Sequence, residues 1–350
     1  MLTIGMLHHR KDPRTVIKAY AYAAVAKAEG VELIFFSPKG VDFKNRKIRG
    51  YRYDDGFWRK IEEPFPSVIY NTGSPEKLKK SYEIINRLKE EIPFTTYSIG
   101  HKMAVYERIK KAGEFSQYLI PSEKVSSIKE LLNFLQLYHR VILKPVVGHK
   151  GQGVILIETC GNDFYLQVGS QQYKYNIDEL GRYLSKRIDD EHLLMQPYIN
   201  CRTKSDCPYD FRLHVQKDGQ GKWVITSIYP RIGANGRIAT NLNCGGYTLY
   251  LEPFLQQEFK DEYYDIKRYL EHFSLQLAQY LDKIQKEYFS EEIDELGIDV
   301  AFDDHGKICI YEINWRPGCP PAFYLELDVI RNMIRYAIHL AKEASRYTPK

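Results

Sequence analysis

The stretch 297–318 carries Asp299, Glu312 and Asn314, three side chains whose oxygens suit a hard divalent cation such as Mg²⁺. Two period-2 runs, 298–302 and 307–314, flank Asp303-Asp304-His305-Gly306, whose Asp and Gly residues supply turn chemistry, so a β-hairpin is predicted. Side chains alternate along a strand, which puts Glu312 and Asn314 on one face with Ile308 and Ile310. With four turn residues outside the ladder, Phe302 pairs with Lys307 and Asp299 stands opposite Ile310, diagonal to Glu312. A slip of one residue would turn Asp299 to the other face. Solvated polar positions on an ordinary hairpin are the plain alternative. Against it, Asp, Asn and Glu are depleted in strands unless something compensates them. The expected occupant is a metal ion carried with nucleotide phosphates.

A second group lies upstream. Lys144 interrupts an apolar strand, 141–145, four residues before Gly148-His-Lys-Gly-Gln-Gly153. The loop's spacing is neither the Walker pattern nor the dinucleotide fingerprint, and a β-branched strand follows it. Its phosphate cradle would therefore be successive backbone N–H groups, with glycines allowing close approach to an anion. A flexible hairpin explains such a loop equally well when it is taken alone. The strand 193–196 exits through Pro197 and offers the Gln196 amide and local backbone groups to a base. Asp210 and Arg212 share a strand face opposite Phe211 and Leu213. Arg212 has the fork for bidentate phosphate contact, and an Asp–Arg structural pair satisfies the same pattern. Arg231, Asn241 and Arg316 are weaker candidates to anchor a substrate, with surface ion pairs as the ordinary alternative.

These residues need a scaffold. With 350 positions, 44% of them hydrophobic, the chain can enclose a large core and form two or three lobes. A net charge of +5 with interspersed signs gives no basic stripe, so nucleic acid is not an expected partner. No apolar run approaches a membrane span, and the N-terminus lacks a signal-peptide pattern, which predicts a cytoplasmic protein that does not cross a membrane. Six cysteines without a Cys-x-x-Cys pair are expected as free thiols. Strands at 2–7, 31–37 and 67–70 alternate with helices at 13–29 and 75–91, a βα pattern with a largely parallel sheet. Both His8-His9-Arg10 and Asn71-Thr72-Gly73-Ser74 then fall at carboxyl ends of strands, where ligands of open α/β sheets bind. Helices are expected at 102–111, 126–138, 258–286 and 325–344, with strands at 154–158, 211–216 and 223–229.

In order along the chain, Gly-His-Lys102-Met, Leu-Lys144-Pro, the glycine loop, Gln196-Pro-Tyr-Ile199, Asp299 and Glu312-Ile-Asn314-x-x-Pro-Gly resemble the ATP-grasp superfamily. Within it, Tyr-Asp210-Phe-Arg212-Leu-His-Val-Gln-Lys-Asp, Arg231-Ile-Gly and Thr240-Asn-Leu-Asn-x-Gly-Gly are similar to the YheC/YheD branch associated with the bacterial endospore coat. The resemblance implies an α/β protein with α+β lobes: an N-terminal βα pre-ATP-grasp domain (1–98), a central ATP-grasp lobe with the glycine-rich loop (99–190) and a C-terminal lobe with the Mg²⁺ site (191–350). It implies that Lys102, Lys144, Gly148, Lys150, Gly151 and Gly153 meet ATP phosphates, that Gln196, Tyr198 and Ile199 hold adenine, and that Arg212, with Lys144, serves the transferring phosphoryl group. Asp299, Glu312 and Asn314 would ligate Mg²⁺. The implied reaction is ATP-dependent joining of an unidentified carboxylate to an amine or thiol through an acyl phosphate. A non-catalytic nucleotide-binding coat scaffold and a kinase with the same nucleotide grip are the alternatives. Spore coat proteins are implied partners, and the mother-cell cytoplasm or the coat itself is the implied location. Thr72 departs from the Arg associated with related sequences after the Tyr-Asn pair, which leaves the role of the N-terminal domain open.

Overall fold

The computed structural model describes residues 2–72, 79–100, 102–146, 153–190, 192–238, 240, 245–315, 317 and 323–347. Three sheets organise them. The first contains β1 (Thr3–Leu7), β2 (Glu32–Phe36), β3 (Val41–Asp42), β4 (Lys47–Asp54), β5 (Phe57–Pro64), β6 (Val68–Asn71) and β7 (Phe94–Thr95), with α1 (Ile17–Ala28) and α2 (Lys79–Glu91) between strands. Its order is β3-β4-β2-β1-β6-β7, with β5 on the outer side of β4. The pairs β2–β1, β1–β6 and β6–β7 are parallel, as the βα alternation predicts. The antiparallel hairpin β4–β5 was not legible from periodicity, because the charged run Arg59-Lys60-Ile61-Glu62-Glu63 hides the alternation. Cross-strand charge holds part of it, with Lys47 and Glu62 at 3.0 Å.

After α3 (Lys102–Ala112) comes an antiparallel sheet of β8 (Glu123–Lys124), β9 (Arg140–Pro145), β10 (Ile155–Cys160), β11 (Asp163–Val168), β12 (Gln171–Tyr175) and β13 (Leu193–Pro197), in the order β12-β11-β10-β9-β13-β8. It is backed by α4 (Ile128–Tyr138) and α5 (Ile177–Asp190), whose Leu131, Leu135, Leu180 and Leu184 join its core. α4 starts at Ile128, two residues after the expected 126, because Ser126 and Ser127 form the cap: Ser127 Oγ accepts from the Glu130 amide and the Glu130 carboxylate accepts from the Ser126 amide.

The third sheet has the order β16-β15-β14-β17-β18, from β14 (Tyr209–Lys217), β15 (Trp223–Ile232), β16 (Tyr247–Thr248), β17 (Glu295–Phe302) and β18 (Ile308–Asn314). The predicted helix 258–286 is instead two helices, α6 (Leu251–Phe259) and α7 (Tyr263–Phe289), separated at Lys260, whose φ of 50° is incompatible with a continuous helix. On α7, Leu270, Phe273, Leu277, Leu281 and Ile284 recur at helical spacing and bury one face. Among the described residues no helix is long and apolar enough to cross a membrane.

α8 (Phe323–Tyr347) lies last in sequence yet completes the core of the first sheet. Its Ile330, Met333, Ile334, Ala337 and Ala341 pack with Ile4, Met6 and Ala19. The first and third sheets are also joined through Asp294, whose carboxylate accepts from the Thr96 amide at 2.7 Å and the Thr96 hydroxyl at 3.1 Å. Burial pushes the Asp294 carboxyl up to about 7, and neighbouring Glu295 adds to the push, while Thr96 and Lys217 pull the other way. Because the folded group holds its proton more tightly than the unfolded one, stability falls as pH rises from about 4 through 7, by about 4 kcal/mol from this group alone. Asp294→Asn should remove that component. Thermal melts at pH 5 and pH 8 should show a drop several degrees smaller in the variant than in the wild type, and equal drops would exclude Asp294 as the titrating group.

Candidate active site

The β17–β18 hairpin forms, but with a register different from the one its sequence suggests. Phe302 pairs with Ile308, and the turn is closed by Asp303 N–H donating to the Lys307 carbonyl at 3.0 Å. A bulge then leaves Tyr311 without a ladder partner, so that Asp299 stands directly opposite Glu312 rather than Ile310, and Gly297 opposite Asn314. The bulge corrects the expected pairing yet keeps Asp299, Glu312 and Asn314 on a common face. Asn314 Nδ2 donates to Glu312 Oε1 at 2.9 Å, which assigns the amide oxygen as the remaining donor atom of Asn314 toward a cation.

Asp299 is more occupied than sequence reasoning expected. Arg212, its cross-strand neighbour on β14, donates through Nε to Oδ1 and through Nη2 to Oδ2, the latter at 3.0 Å. Arg231 on β15 reaches Asp299 Oδ2 at 3.0 Å and grips Asp210 with two bonds of 2.7 Å. The Thr240 hydroxyl donates to Asp210 at 2.6 Å. All four charged residues are buried, at 9% exposure or less. Arg231 is thus neither a surface ion pair nor an open anchor, and Asp210 pairs with Arg231 instead of Arg212. Burial pushes the Asp299 carboxyl up against the pull of Arg231 and Arg212, with Glu312 adding to the push. Burial opposes the charge on Arg231 too, but Asp299 and Asp210 more than restore it and hold the guanidinium above its ordinary range. Gly297 makes room for this cluster: a Cβ there would lie 2.4 Å from Pro317 Cβ and 3.2 Å from Arg212 Cδ.

One cleft of about 600 Å³, open to solvent, brings three of the predicted residues together: Lys144 from β9, Gln196 from β13 and Glu312 from β18. Its walls are otherwise mostly apolar, with Met103 and Ile109 from α3 and Ile310 and Ile313 from β18. The walls belong to different sheets, and Leu119, in the segment between α3 and β8, forms a parallel bridge with Ile310 of β18. Gln196 is buried and its amide donates to Ser122 Oγ at 2.5 Å. Ser122, Tyr106 and Tyr311 also line the cleft and were not singled out from sequence, since neither short motif nor periodicity marks them.

Tyr198 and Ile199 are not among the residues lining that cleft. The Tyr198 amide donates to the Arg140 carbonyl at 2.9 Å and its ring lies under the Arg140 guanidinium at 4.4 Å, while the Ile199 carbonyl accepts from the Cys201 amide. Lys102 opens α3. Gly153 adopts φ +76°, the left-handed region that glycine tolerates, with Pro145 beside it. Gly148, Lys150, Gly151, Asn241 and Arg316 lie outside the described residues. Among the described residues no three His, Cys, Asp or Glu side chains are grouped to hold a metal ion; the candidate set is two carboxylates and an amide.

A βα sheet followed by two antiparallel sheets whose strands converge on one cleft is the ATP-grasp fold. A solved structure of the ATP-grasp ligase PsnB, complexed with minimal precursor, Mg and ADP, shares it with a TM-score of 0.55 at 11% identity, covering 97% of this chain and 98% of that one. Residues 91–340 match the sequence profile of the YheC/D-like ATP-grasp family, and the chain belongs to that family. It is 23% identical over 329 residues to the endospore coat-associated protein YheC of Bacillus subtilis (strain 168), covering 91% of this chain and 89% of YheC. With YheD of the same organism it shares 24% identity over 325 residues, covering 88% of this chain and 70% of YheD.

Proposed function

We propose that the protein is an ATP-dependent ligase that activates a carboxylate as an acyl phosphate and passes the acyl group to an amine or thiol. The observation that carries this reading is the convergence of Lys144, Gln196 and Glu312 on one cleft between sheets. Adenine is placed on the apolar wall beside Gln196. Lys144 then faces the phosphates, with Lys102 and the glycine loop (Gly148, Lys150, Gly151, Gly153) assigned to them by their order in the chain. A substrate carboxylate oxygen attacks the γ-phosphorus, the bond to the bridging oxygen breaks, and ADP leaves. The amine or thiol then displaces phosphate from the acyl carbon and loses its proton. Positioning and charge stabilisation suffice, and no protein nucleophile is needed.

Arg212 is assigned to the transferring phosphoryl group. It stands across the intervening strand β17 from Glu312 and is held by Asp299 of that strand. The donor chemistry fits Mg²⁺: Glu312 and Asn314 would hold it, with the Asp299 carboxylate adding negative charge from behind its arginines. When bound, the ion supplies charge neutralisation at the phosphates. Association with spore coat proteins extends to this chain from the names of YheC and YheD.

Hydroxylamine intercepts acyl phosphates. Amino acids, short peptides and sporulating-cell extracts, screened with ATP and Mg²⁺, should contain an acid that yields a hydroxamate with ADP and free phosphate. Glu312→Gln should fold normally and lose hydroxamate formation. A stable phosphorylated alcohol would instead establish a kinase. Tight ATP binding with no acid-stimulated ADP release would establish a non-catalytic coat protein.

A further inference from the structure

A second cleft, of about 960 Å³ and open to solvent, lies at the first sheet and shares no lining residue with the cleft described above. We infer that it binds a small doubly charged oxyanion, a phosphate monoester or a dicarboxylate, through His8, His9, Arg10 and Lys18.

Its position follows from topology. β1 pairs with β2 on one side and β6 on the other, so the chain reverses its direction of spread between β1 and β6. At such a switch point the connections after the two strands diverge and leave a crevice at the carboxyl ends. The residues that follow β1 and β6, His8 to Arg10 and Thr72, line the cleft.

Its chemistry follows from the lining. Arg10 and Lys18 supply positive charge, and His8 and His9 add ring nitrogens beside them. The acid of the lining, Glu295, is engaged by the His214 ring at 2.8 Å. His8 is 7% exposed, and its Nδ1 accepts from the Arg10 amide at 2.9 Å, which places the ring hydrogen on Nε2 as a donor. The ring stacks on His9 with centroids 4.3 Å apart, so the two imidazoles form one surface. Arg10 is fixed in turn by donating to the Thr15 carbonyl. The first turn of α1 contributes Ile17 and Lys18, contains no acidic residue and has no side-chain cap, so nothing there repels an anion. Tyr22 and Tyr70, whose hydroxyls lie 3.0 Å apart and whose rings stack at 5.1 Å, give an aromatic wall with polar tips for the body of the ligand.

The test is isothermal titration of the full chain, preloaded with saturating Mg-ADP so that anions cannot report on the first cleft. O-phosphoserine and glutarate are the two anionic probes, and serine amide is the uncharged control. Saturable binding of either anion, with none of serine amide, is expected, and the stronger of the two identifies the source of the charge. The double variant Arg10→Ala/Lys18→Ala changes exposed residues and should keep the fold. It should weaken the anion at least about tenfold, the loss of a charge-assisted contact, with ADP affinity unchanged. Absence of saturable binding of both anions, or an affinity untouched by the double substitution, would overturn the site. ADP titration of the same samples reads the nucleotide cleft separately, so failure of one assignment is not failure of the other.

Discussion

Lys144→Met should weaken ADP binding by roughly a hundredfold while leaving the circular dichroism spectrum and melting behaviour of the free protein nearly unchanged. The side chain is half-buried at the end of β9, in the wall shared with Gln196 and Glu312. Methionine keeps most of its volume and apolar stem and deletes only the ammonium. Losing one partner of a partly desolvated charge pair costs about 3 kcal/mol at the lower end of the usual range, which converts to that factor. A surface lysine that met only solvent would move the affinity by much less. Calorimetry with ADP decides between them, and unchanged affinity would remove Lys144 from the phosphate contact.

The second large effect concerns stability. Arg231 bridges Asp210 and Asp299, and the four charges of Asp210, Arg212, Arg231 and Asp299 balance inside the third sheet. Arg231→Ala leaves Asp210 with the Thr240 hydroxyl and Asp299 with Arg212 alone, so one buried negative charge goes uncompensated. The expected loss is about 3–5 kcal/mol, read as a lowered urea midpoint. Arg231→Lys should recover only part of it, because an ammonium cannot reproduce the parallel bonds to Asp210. Asp210→Asn/Arg231→Met should be more stable than Arg231→Ala, since it removes both charges together. If Arg231→Ala kept the wild-type midpoint, the quartet would contribute nothing to the fold.

The site was legible to the extent that it depends on order and alternation. Lys144, Gln196 and Glu312 stand out because a polar residue interrupts an apolar strand, and such interruptions survive any packing. The register of β17 on β18 was not legible, because the bulge at Tyr311 depends on how the sheet is loaded from both sides and leaves no mark in the turn. The commitment of Asp299 to two arginines was hidden for a related reason. Alternation tells which face a side chain takes, not which strand comes to lie beside it, and the partners are 87 and 68 positions away along the chain (299 − 212 and 299 − 231). The division of α6 from α7 depends on one residue with positive φ, Lys260, whose type gives no warning. Likewise, a helix pattern at 325–344 shows an apolar face without showing that the first sheet is what covers it.

That last contact governs how the protein can be made. Arg335 on α8 meets Glu29 across 306 positions, and the helix's apolar face fills the core beside β1 and α1. A growing chain on the ribosome exposes the first sheet long before the helix that seals it has been translated. The usual domain-by-domain order of folding during synthesis is therefore closed to this part of the protein. Its apolar patch stays uncovered until α8 itself has emerged, and the closing step carries the slow kinetics of a very long-range contact.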